Sequence, residues 1–308
     1  MELLLKNANI VTDKETYMSD IYIKDGVIVN IDKKIEIPGV KTVDIGGKYL
    51  VPGGIDVHTH FDIDVGIARS ADNFYTGTLA AACGGTTTIV DHMGFGPKGC
   101  NLHHQLNLYH DLAKDSVIDY SFHGVIQHID EDIISEIDEM IKDGIPSFKG
   151  YMTYGYKLSD MEMLKLSEKL GKTGGLLTVH PENNDIVEFL REKLANEGKL
   201  APIYHAKSRP DKCEGEAVNR MIDITAQTNC PLYIVHLSSN EALEHIKRAK
   251  DRGQKIYSET CPQYLVLDEE MYNREDGVKF ICSPPIREKS NQEKLWEGIQ
   301  QGYIQTIA

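Results

Sequence analysis

The sequence predicts an α/β protein: a (β/α)8, TIM-like barrel over residues 51–308, preceded by an all-β segment over residues 1–50. Three observations carry that expectation. Eight short apolar runs recur after residue 51, amphipathic segments separate them, and the length suits eight βα units. A doubly wound open sheet is the alternative, but no G-x-G-x-x-G follows a first strand.

Taken in order, "LLLKNANIV", "DIYIKDGVIVNID" and "KTVDIGGKYLVPGG" read as strands, with Asp25-Gly26 as a hairpin turn. This segment is too short and open-edged to bury a core alone, so it is expected to need strands from elsewhere. The eight barrel runs are "GGIDVHTH", "TTTIVDH", "YSFHGVI", "IPSFKGYM", "LLTVHPEN", "PLYIVHLS", "KIYSETC" and "YIQTIA". Between the third and fourth, "EDIISEIDEMIKDG" sets Ile133, Ile134, Ile137, Met140 and Ile141 on one stripe and stops at Gly144. The next helix starts at a capping box, Ser159 with Glu162, and carries Met161, Leu164 and Leu166 as its apolar positions.

Composition narrows the function. The 308 residues are 41% hydrophobic and 26% charged, as in an ordinary globular protein. A net charge of -14, with no basic stripe to offset it, argues against nucleic acid and leaves a small neutral substrate as the better fit. Six scattered cysteines without C-x-x-C read as reduced thiols, most of them small core residues, in a cytoplasmic protein. The apolar start is broken at Lys6 and Asn7 before a signal-peptide core is complete, and no run suffices to span a bilayer.

In a barrel of this kind the chemistry lies at the C-terminal ends of the strands. His58 and His60 end the first run and share one strand face. Lys149 ends the fourth, His180 the fifth and His236 the sixth. His103, His104, His110, His205 and His245 fall elsewhere and read as surface or packing residues. Four neutral imidazoles suit zinc, nickel, cobalt or iron(II), and an open coordination position makes such a metal catalytic. A protonated lysine repels a cation, but addition of CO2 to the neutral amine gives an anionic carbamate able to bridge two metals. Alternatively Lys149 is a rim lysine with a buried stem.

The pieces "VPGGIDVHTHFDIDVGIARSADNFYTGTLAAACGGTTTIVDHMGFGP", "DYSFHGVIQHI", "PSFKGYMTYGYKL", "TVHPEN", "YIVHLS", "ETCPQYL" and "KFICSPPIR", in this order, resemble the cyclic-amidohydrolase branch of the amidohydrolase superfamily from end to end. The similarity is to its D-phenylhydantoinase and dihydropyrimidinase group. It implies a distorted barrel with a small β-sandwich built from both chain ends, which accounts for the incomplete look of residues 1–50. It also implies His58 and His60 on a first divalent metal, His180 and His236 on a second, and carboxylated Lys149 bridging them, with zinc the foremost metal. Tyr154 matches the oxyanion donor and Ser283 the residue whose backbone holds the cyclic amide. The implied reaction opens 5-substituted hydantoins or dihydropyrimidines to N-carbamoyl amino acids, in a homotetramer with neither nucleic-acid nor membrane partners.

The resemblance further implies a general-base aspartate just after "YIQTIA", beyond Ala308, so the 308-residue chain is expected to be a truncated piece, poorly active alone. Within the superfamily, dihydroorotases carry an arginine where this chain has Asp62, which disfavours a carboxylated ring; allantoinase remains a further alternative. The stretch "DIDVGIARS" resembles the phenylhydantoinase version and suggests an aryl or unusual substituent. A non-catalytic scaffold or an inactive fragment is the other class of reading, and retention of all five candidate ligands argues against it.

Overall fold

The computed structural model describes residues 1–308. They form two compact units, Met1–Gly54 and Ile55–Ala308.

The first unit is one sheet. Strands β1 (Glu2–Val11), β2 (Thr16–Lys24), β3 (Val27–Asp32), β4 (Lys41–Asp44) and β5 (Tyr49–Leu50) include the order β3-β2-β1-β4, with β5 also on β1. The β2–β3 hairpin turns at Asp25 and Gly26, both at positive φ as a two-residue turn of primed type requires. Ala8, Ile10 and Ile21 form its small core, and Asp20 is buried where it accepts the main-chain N–H groups of Asn7 and Ile35, each at 2.9 Å. Val27, Ile28, Val29 and Ile31 of β3 are exposed.

The second sheet holds β6 (Gly54–Thr59), β7 (Thr86–His92), β8 (Asp119–Val125), β9 (Ser147–Tyr151), β10 (Leu176–His180), β11 (Leu232–Ile234), β12 (Ile256–Thr260) and β13 (Thr306–Ile307) in sequential order. All eight expected runs are there. Helices intervene between the strands, as parallel pairing demands. His58 on β6 touches Glu259 on β12. In a flat sheet six strand spacings would part them by about 29 Å, so the sheet curls round into a TIM-like barrel.

The helix Glu131–Lys142 starts at Asp130, whose side chain accepts from Ile133 N–H, and buries Ile133, Ile137 and Met140. The helix Asp160–Thr173 opens on the expected Ser159–Glu162 capping box. Its buried stripe is Met163, Leu166, Ser167 and Leu170, while Met161 is 61% exposed, a correction to the sequence reading. Positions 163, 166, 167 and 170 keep the three- and four-residue spacing of one face, which 161 does not share. No helix is long and apolar enough to cross a membrane, and all six cysteines are free, three of them buried.

Candidate active site

Four of the five predicted residues meet through their rings. His58 Nε2 lies 3.3 Å from His60 Nε2, and His180 Nδ1 lies 2.9 Å from His236 Nε2. The His58 and His236 ring centroids, 5.3 Å apart, join the two pairs. Lys149 is the fifth. It sits mid-strand on β9 rather than at its end, only 1% exposed, and close enough that a proton on its amine weighs against one on any of the four imidazoles.

Charge and tautomer follow from the surroundings. Burial is the first cause holding His58, His60 and His236 well below the ordinary histidine value, and it lowers His180 as well, so these rings are neutral at pH 7. Glu259 Oε1 accepts from His58 Nδ1, and Glu182 Oε2 accepts from His180 Nε2 at 2.8 Å. These carboxylates leave His58 Nε2 and His180 Nδ1 bare, and each bare nitrogen faces the other ring of its pair. Burial also holds Lys149 below the usual lysine range, which favours the uncharged amine.

The donor set suits divalent ions. Two ligand nitrogens on a tetrahedral zinc are about 3.3 to 3.4 Å apart, the spacing of the first pair. No three His, Cys, Asp or Glu side chains gather as a metal-holding group.

Tyr154 and Ser283 stand at the same mouth. The Tyr154 ring centroid is 5.1 Å from that of His180, and Tyr154 keeps 39% of its surface open. Burial of its hydroxyl end and the nearby Glu182 carboxylate push its phenol up, so it remains a proton donor at neutral pH, with Ser283 and Arg209 beside it. Ser283 precedes Pro284 in a loop whose Cys282 carbonyl accepts from His205 Nε2 at 2.7 Å. Tyr154 (φ 73°) and His236 (φ 40°) are both in the left-handed region, an unfavourable backbone for bulky side chains that tends to occur at functional positions.

Sequence reading missed a supporting layer. His92 and His123, at the ends of β7 and in β8, stack at 4.2 Å, and the His92 ring centroid is 4.4 Å from that of His58. His92 closes its apolar run as His180 does, so the signal was present. Asp91 was hidden by its apolar neighbours. Its Oδ2 accepts from Thr59 Oγ1 at 2.6 Å and from Phe61 N–H at 2.9 Å, clasping the chain on either side of His60.

Burial pushes Asp91 up to about 8. The folded state then keeps this proton where the unfolded chain has released it. Stability contributed by Asp91 is complete below about pH 4 and is lost as pH rises toward the folded value. Asp91→Asn keeps an acceptor for Thr59 and Phe61 and has no proton to lose. Thermal melts of metal-free protein between pH 4.5 and 8 should show a flatter pH slope for the variant; equal slopes would count against the assignment.

A curled α/β barrel carrying histidines at the C-terminal ends of its strands, with a buried lysine among them, has the layout of a barrel hydrolase. Residues 49–308 match the model of the amidohydrolase family. D-phenylhydantoinase from Escherichia coli O139:H28 is 51% identical over 312 residues, which cover all of this chain and 68% of that protein. A crystal structure of D-hydantoinase superposes with a TM-score of 0.98 at 39% identity, and that of dihydropyrimidinase from Brevibacillus agri NCHU1002 with 0.97 at 39%. Each covers all of this chain and 68% of the solved one. The chain belongs to the amidohydrolase family, in which metal dependence is general.

Proposed function

We propose that the protein is a metal-dependent hydrolase that opens the ring of 5-substituted hydantoins or dihydropyrimidines to N-carbamoyl amino acids. The observation that carries this reading is the two couples of neutral imidazoles, one buried and one half-buried, with bare nitrogens turned toward each other beside Lys149. The names of its relatives support the substrate class.

In this reading His58 and His60 hold one divalent ion and His180 and His236 a second, with zinc the first candidate. Lys149, carboxylated when its neutral amine adds to CO2 with formation of an N–C bond and release of one proton, would supply both with an anionic oxygen ligand. When bound, such ions would supply a water of lowered pKa and a Lewis acid for the ring carbonyl. Tyr154 donates a hydrogen bond to the oxyanion that develops there, and the Ser283 main chain holds the ring amide. Residues 1–50 are taken as part of a β-sandwich, residues 51–308 as the catalytic barrel, and the assembly as a homotetramer. Six unpaired cysteines suit a reducing compartment such as the cytoplasm.

Metal analysis together with turnover of phenylhydantoin and dihydrouracil tests the assignment. About two ions per chain and ring opening of either substrate are expected of the full-length protein, and a full-length chain that is metal-free and inert to both would sink the assignment. Tyr154→Phe should lower kcat by on the order of 10²- to 10³-fold with little change in KM, because its hydroxyl acts on charge that exists only in the transition state.

A further inference from the structure

One carboxylate reaches both imidazole pairs. Glu259, fully buried on β12, accepts at Oε1 from His58 Nδ1 and, at 3.0 Å, from the main-chain N–H of His236. Its Oε2 accepts from the Tyr233 hydroxyl at 2.8 Å. Three donors on two oxygens hold the carboxylate in one rotamer. Glu182, by contrast, touches only His180 among the four imidazoles.

Resting on the metal-hydrolase reading above, we propose that Glu259 is a positioning residue for both ion positions at once. It fixes His58 as the Nδ1–H tautomer, so that Nε2 is bare toward His60. It also pins the His236 main chain in its left-handed turn, which sets where Nε2 of that ring meets His180. Tyr233, on the neighbouring strand β11, holds the carboxylate against the opposite side. Five strands lie between those of His58 and Glu259 in the sheet order, so this one side chain ties the first strand of the barrel to the last but one.

The competing role for a buried Glu259 is simple charge compensation of Lys149, and two substitutions separate the roles. Glu259→Gln keeps an oxygen for His58 and His236 but removes the charge. Glu259→Leu keeps the bulk and removes every acceptor. Zinc affinity by chelator competition, zinc content, and cobalt(II) absorption spectra are read on wild type and both variants, with thermal melts as the check on folding. Glu259→Leu is expected to bind zinc about 10- to 100-fold more weakly and to change the cobalt ligand-field bands, the usual cost of losing an outer partner of a metal ligand. Glu259→Gln should stay within a few-fold of wild type. Wild-type affinity in Glu259→Leu overturns the proposal. So does a Gln variant as impaired as the Leu one, because charge would then be the operative property.

Should Glu259→Leu fail to fold, nitrogen-15 shifts of metal-free wild type decide the matter without it. His58 must show a protonated Nδ1 and a bare Nε2, and the reverse tautomer overturns the assignment. A wild-type chain that takes up neither zinc nor cobalt removes the metal reading itself, a result distinct from a variant that binds as well as wild type.

Discussion

Replacing Lys149 with alanine is expected to strip the site of metal and to lower ring-opening turnover by on the order of 10³-fold or more, since losing even an outer partner of a metal ligand costs about 10- to 100-fold. In the proposed reading Lys149 is the group that becomes an anion shared by both imidazole pairs. Its burial favours the uncharged amine that CO2 requires. Lys149→Arg should fail equally, because a guanidinium stays charged at any ordinary pH and takes no CO2. Short carboxylates such as acetate or propionate should restore part of the activity of the alanine variant, by occupying the place of the missing carbamate. Metal content and turnover are read together. An alanine variant that keeps its ions and its rate would remove the bridging role.

The largest expected loss of stability lies behind the site, at Arg287. This buried guanidinium donates through Nε to Ser238 Oγ at 2.9 Å and through Nη1 to the Arg209 carbonyl at 2.6 Å. It pairs with Asp211 at 3.1 Å and with Glu214 at 3.4 Å. Glu214 is itself fully buried and accepts from the Ser238 main chain and hydroxyl at 2.9 and 2.8 Å. Arg287→Ala strands that carboxylate in a low-dielectric interior and should cost about 3 to 5 kcal/mol, read as a lowered urea midpoint. The double variant Arg287→Ala with Glu214→Gln should recover a large part of the loss. Simple addition of the two single effects would show that the pair is not coupled.

The fold was readable where side-chain pattern and backbone need agree. The run "TTTIVDH" is β7 from its first residue to its last, and the Ser159–Glu162 box sits where its helix begins. A capping box is local and an apolar run is one-dimensional, so both survive without knowledge of the third dimension. His58, His60, His180 and His236 were equally accessible, because strand ends of a barrel converge by construction. Lys149 lies inside its strand, and its place at the site follows from side-chain direction and not from being last.

The buried carboxylates were beyond sequence reasoning. In a linear reading Glu259, Glu182 and Glu214 look like solvent-facing residues, since Glu is almost never fully buried without a partner. The partner of Glu259 is 201 positions away, and only the closed barrel brings it near. Asp91 is concealed in the same way. Met161 misled for the opposite reason: an apolar side chain suggested a core position where the helical phase turns it to solvent.

The left-handed backbone at Tyr154 and His236 has a consequence for how this barrel tolerates change. Glycine or asparagine at either position relieves local strain of order 1 kcal/mol or more. A screen that rewards heat tolerance alone would therefore drift toward those replacements and arrive at sturdier, silent molecules. Lineages kept under selection for turnover must hold both awkward residues and find their robustness in other parts of the chain.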